Sequence, residues 1–112
     1  FSQTLREHLA PIAAAIAVLG SIEAIAIART LVEDKLVACA NILGPSTAIY
    51  RWEGDVQEDE EVAMILKTRR DMTVHVAARI KTMHSYDTPC VVGLPIQGGN
   101  PDFLAWLHRE VD

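Results

Sequence analysis

Two long extended segments joined by a single tight turn set the strongest limit on what this chain can fold into. Leu36 to Trp52 reads as a strand interrupted at Gly44-Pro45, because proline lacks the N–H that a ladder needs and marks a bend or bulge. Glu53-Gly54-Asp55 makes the turn, and the chain returns through Glu61 to Arg70. In that return Val62, Met64, Leu66 and Thr68 alternate with Ala63, Ile65 and Lys67, apolar on both sides until the basic end, so burial of both faces is expected. A hairpin of this length exceeds the roughly five-to-six-residue strand of an ordinary domain. It must project past any helical layer, and its exposed edges invite pairing with another copy.

The elements around the hairpin complete a pattern. Ile12 to Leu19 mixes β-branched residues with alanine and stops at Gly20, which predicts a buried strand. Ser21 as N-cap, Glu23 in the first turn, and Ile22, Ile25, Ala28, Arg29 and Val32 at three-to-four spacing predict a helix from about Ser21 to Lys35 lying flat on a sheet. Asp71 or Thr73 caps a second helix reaching to about Met83, with Val74, Ala77, Ala78 and Met83 inward and Arg79 and Lys81 outward. Pro89 to Ile96 is a short apolar strand. Gly98-Gly99-Asn100 turns into a last helix that opens on Pro101 and carries Phe103, Leu104, Trp106 and Leu107. The order is βαββαβ plus a terminal helix, an α+β, ferredoxin-like antiparallel sheet with helices on one face. Residues 1–112 are expected to make one such domain, with 1–11 as an N-terminal extension, disordered or partly helical.

Leu9 to Ile22 carries no charge and imitates the core of a signal peptide. Glu7 beside Arg6 spoils the basic region that a leader wants, and fourteen uncharged residues are short for a bilayer, so a native strand is the reading. The formal charge of −5 has the wrong sign for a nucleic-acid partner. No membrane partner is expected. Two cysteines, Cys39 and Cys90, are too few for a disulfide scaffold and fit a reducing cytoplasm.

No Gly-rich phosphate loop, Cys-x-x-Cys pair, His-Glu-x-x-His helix or Gly-x-Ser-x-Gly elbow is present. The polar groups at the ends of apolar elements remain. Cys39 is either an inert core thiol or a soft ligand for a thiophilic metal. His84 precedes Tyr86, Asp87 and Cys90, a dense set of ligand-type atoms, although a histidine there also suits a helix C-terminus. The acidic stretch Glu58-Asp59-Glu60-Glu61 lacks EF-hand spacing and reads as a solvated hairpin, while Lys67, Arg69 and Arg70 offer positive charge to a small anion or to nearby carboxylates. Trp52 and Trp106 serve equally as core or as the lining of a ligand cavity.

Taken together, several blocks carry a resemblance. Leu31-Val32-Glu33, Leu36 to Ile42, Ile49-Tyr50-Arg51-Trp52-Glu53-Gly54, Glu58 to Val62, Lys67-Thr68-Arg69, His84-Ser85-Tyr86-Asp87 and Leu94 to Asn100 with Leu104-Ala105-Trp106 are similar to the CutA family of divalent-cation tolerance proteins, in the family's order over about residues 20 to 110. The resemblance implies a ferredoxin-like subunit assembled as a homotrimer through its long strands, soluble and cytoplasmic, with copper, Cu(II), or another divalent cation as ligand and no organic cofactor. It implies Cys39 and His84 as metal contacts and Trp52, Lys67, Tyr86 and Asp87 around a cleft between subunits. Ser85 stands where the family has proline, and Asp87 is one methylene shorter than the family's Glu, which alters reach into the cleft. The family's first strand is matched poorly by the Ala-rich segment. The function implied is a non-enzymatic binding or signalling trimer, with PII-type trimers as a fold-level analogy. Two alternatives are an enzyme using His84, Lys67 and Asp87 in the cleft, for which no matched nucleophile and base can be named, and an anchoring partner of another protein.

Overall fold

The computed structural model describes residues 12–85 and 89–111. The expected extension at 1–11 lies outside them. In chain order the elements are β1 (Ile12–Leu19), α1 (Ser21–Glu33), β2 (Cys39–Trp52), β3 (Asp55–Arg69), a 3-10 turn (Arg70–Met72), α2 (Thr73–Met83), β4 (Cys90–Pro95) and α3 (Pro101–Arg109). The four strands form one antiparallel sheet in the order β2-β3-β1-β4, the ferredoxin-like arrangement.

Central position and alternation decide which face of β1 packs. Ala13, Ala15, Ala17 and Leu19 are buried on the helical side, and the small size of the three alanines lets helices lie close. Met64, Leu66 and Thr68 of β3 share that side, and one cluster joins this layer to Ala24, Ile27, Ala28 and Leu31 of α1 and to Val76 and Ile80 of α2. Both helices therefore cover the same face. Thr68 is the polar member of the layer, and its hydroxyl donates to the Leu36 carbonyl at 2.6 Å. A second cluster at one end of the sheet packs Leu107 and Val111 on Ala38, with Phe103 and Trp106 in ring contact at 5.6 Å, so Trp106 belongs to this packing.

Several sequence expectations are corrected. In α1 the buried stripe is Ala24, Ile27, Ala28 and Leu31, whereas Ile22, Ile25 and Val32 are exposed. A helix apolar on nearly every side gives periodicity no unique phase. In α2 the buried residues are Val76 and Ile80, while Val74 is 76% exposed and Ala78 also faces outward. α1 closes at Glu33, not Lys35, because Lys35 turns left-handed at φ 59° and the Leu36 N–H reaches back to the Leu31 carbonyl. Its N-cap position falls on Gly20, one residue before the expected Ser21.

β3 starts at Asp55, well before the expected Glu61, because its acidic half pairs residue by residue with β2. The two-residue loop Glu53-Gly54 has φ of 50° and 88°, the left-handed pair that matches strand twist, and glycine takes the second position without strain. The bulge falls between Leu43 and Pro45 as the proline requires. β1 pairs with β3 only from Val62 to Arg69, so among the described residues the hairpin arm beyond has no third strand, and the longest dimension is 53 Å. From Ala63 to Arg69 one face of β3 is buried and the other half-buried, so burial on both faces is not reached within one copy. Among the described residues no helix is long and apolar enough to cross a membrane.

Candidate functional site

Strand register lays out the sheet face opposite the helices as three rows of four. Cys39, Lys67, Ala14 and Leu94 form one row, Asn41, Ile65, Ile16 and Val92 the next, and Leu43, Ala63, Val18 and Cys90 the third. Apart from Lys67, Asn41 and the two thiols this face is apolar, and Leu43, Val92 and Leu94 are about half exposed. Lys67 stands directly across from Cys39 and donates from Nζ to Asn41 Oδ1 at 2.6 Å. That places a cation, an amide and a half-buried thiol at the β2 edge, an arrangement suited to a small anion or a soft cation. Asn41 is the member that sequence reasoning missed. Arg69 is held by Asp71 at 3.2 Å and by the Val111 carbonyl at 3.4 Å, which turns it toward the end of the sheet.

Trp52 sits at the far end of the hairpin, 47% exposed, and Tyr50 on the same arm donates its hydroxyl to Asp59. Neither reaches the Cys39 row within one copy, because the arm points away from it. Tyr86 and Asp87 lie outside the described residues.

His84 is placed elsewhere. It follows α2 with its side chain fully buried, and Nε2 accepts the Gly20 N–H at 3.0 Å. Glu23 Oε2 lies 3.9 Å from the same nitrogen. The Glu23 carboxylate is taken by Ser85, whose hydroxyl and N–H donate at 2.6 and 3.0 Å. These two bonds, the hydroxyl's first, hold the Glu23 carboxyl below its ordinary range. Gly20, Glu23 and Ser85 were not expected here, although Glu23 was read as a first-turn acid and Ser85 as a departure at this position.

The fit to a metal follows from this placement. Cys39 is level with Ala14 of β1 and His84 with Gly20, six residues further on, so about 20 Å of strand separates them. Among the described residues no group of three His, Cys, Asp or Glu side chains gathers around a common point. Cys90 stands in the row farthest from Cys39, and both thiols are free. One copy thus assembles no metal centre from Cys39 and His84.

The family model for the CutA1 divalent ion tolerance protein matches residues 12–110. The chain belongs to this family. The Thermus thermophilus divalent-cation tolerance protein CutA is 44% identical over 84 residues, 75% of this chain and 82% of that protein. The mouse protein CutA is 39% identical over 86 residues, and this chain spans only 49% of its length. Among solved structures, CutA1 from Oryza sativa superposes with a TM-score of 0.89 at 33% identity, covering 93% of this chain and 96% of that one. The Archaeoglobus fulgidus structure, described as a periplasmic divalent cation tolerance protein CutA, gives 0.86 at 39% identity over 90% of this chain and 99% of that one. CutA1 membership places the chain in divalent-ion tolerance and accounts for the α+β sheet and its long hairpin.

Proposed function

We propose that this CutA1 chain works as a homotrimer in divalent-cation tolerance, without an enzymatic step, holding a small ligand or a divalent cation such as Cu(II) in clefts between copies. The observation that carries the reading is the apolar sheet face opposite the helices, bounded by the β2 and β4 edges, which pair with no further strand among the described residues. β2 runs parallel to β1 and β4 antiparallel to it, so the β2 edge of one copy and the β4 edge of the next can extend one antiparallel sheet head to tail. Head-to-tail contacts that close make a ring, with the apolar faces inside. The projecting hairpin then reaches a neighbour, which brings Trp52 toward another copy's Cys39, Asn41 and Lys67. Tyr86 and Asp87 are proposed for the rim of the same cleft.

Cys39 is the soft metal contact in this reading. The compartment proposed is the cytoplasm, which suits two unpaired thiols. Relatives carry other compartments in their names, chloroplastic in Arabidopsis thaliana and periplasmic in Archaeoglobus fulgidus, so fractionation of the native host is the check on that part.

Sedimentation at micromolar concentration with Cu(II) titrated into wild type and Cys39→Ser tests the rest. The reading expects a trimer in both proteins and weaker copper uptake in the variant. A monomer contradicts the assembly, and equal uptake removes Cys39 from the site.

A further inference from the structure

We infer that His84 is a positioning residue, a pin between the β1–α1 turn and the end of α2, and not a metal contact. The inference rests on the clefted trimer proposed above and narrows its metal chemistry to the Cys39 side.

A nitrogen that accepts a backbone N–H carries no proton of its own. With Nε2 accepting from Gly20 at 3.0 Å, the neutral imidazole of His84 is the Nδ1-protonated tautomer. The Nε2 lone pair is committed to that bond and is unavailable to a metal. Taking it for a metal would strand the Gly20 N–H, the group at the start of α1 that the histidine satisfies. The ring is wholly buried, and the Glu23 carboxylate 3.9 Å from Nε2 is itself held by both donors of Ser85. The bond joins residues 64 apart in the chain and fixes where the backbone leaves α2.

The test is nuclear magnetic resonance of the full-length protein labelled in histidine with 13C and 15N, with Zn(II) as a diamagnetic probe. His84 is assigned through its coupling to the Gly20 amide. The expected result is the Nδ1-protonated tautomer, with ring resonances that stay in place as Zn(II) is added to one per subunit. The His84→Gln variant, whose side-chain carbonyl can accept the Gly20 N–H, should bind Zn(II) within twofold of wild type. An Nε2-protonated ring, a Zn(II)-induced shift at His84, or a folded His84→Gln trimer that has lost Zn(II) binding overturns the inference. If His84→Gln fails to fold, the wild-type spectra decide. A wild-type trimer that takes up no Zn(II) or Cu(II) contradicts the metal part of the proposed function, and the tautomer still decides the role of His84.

Discussion

Ser85 turns both of its donors onto the carboxylate of Glu23, the hydroxyl at 2.6 Å and the N–H at 3.0 Å. The bonds favour the ionised form and lower the carboxyl's pKa from the ordinary 4.5. A carboxyl whose folded pKa is depressed adds stability that is complete above the unfolded value and is lost as pH falls through the folded one. Melting temperature followed from neutral pH downward should therefore fall more steeply for wild type than for Glu23→Gln once the pH drops below 4.5. Parallel acid limbs would contradict the clasp.

Thr68 is fully buried in the helical layer of β3 and donates to the Leu36 carbonyl at 2.6 Å. Thr68→Val keeps the shape and strands that carbonyl, at a cost of about 1–3 kcal/mol. Thr68→Ser keeps the bond and loses one methyl group, about 1 kcal/mol. Urea denaturation of the two variants should rank them in that order.

Gly93 is where β4 meets the start of α2. A Cβ there would lie 2.8 Å from Thr73 Cγ2, inside any normal contact. Gly93→Ala should destabilise by about 1–3 kcal/mol through overpacking. Thr73→Ser removes the offending methyl, so the double variant should recover most of that loss in urea denaturation. A loss that is additive across the pair would place the strain elsewhere.

Val92 is the middle outward residue of edge strand β4, 50% exposed and paired with Ile16 of β1. Its side chain supports nothing in the helical core, so Val92→Glu should leave the circular dichroism of the subunit unchanged. Light scattering should report dissociation of the trimer. A Val92→Glu trimer as stable as wild type would show that this face is not the interface.

Strand identity was readable because the chain punctuates it: Gly20 ends β1, Gly44-Pro45 forces the bulge, and Glu53-Gly54 closes the hairpin. Helix faces were not. Ile25 and Ile27, or Val74 and Val76, are chemically alike, and only the sheet beneath decides which packs. The acidic half of β3 carried no apolar alternation, so its pairing with β2 left no trace in periodicity. The candidate site divides in the same way. Lys67 and Cys39 were each visible as chemistry at the end of an apolar run, and register puts them face to face. The bond from Gly20 to His84 spans 64 residues and involves a backbone donor, which no local pattern encodes. Ser85 was marked only as the residue that stands in for proline. Its hydroxyl and N–H, both of which proline lacks, make the clasp on Glu23.

Native mass spectrometry of the purified protein, with and without Cu(II), tests the central claim most directly because one spectrum reports both subunit number and bound ions. The account predicts three copies of the 112-residue chain, taking up copper in steps of up to three per trimer. A monomer would contradict the account, and a trimer that stays free of copper at saturating concentration would contradict its metal reading and leave the small ligand.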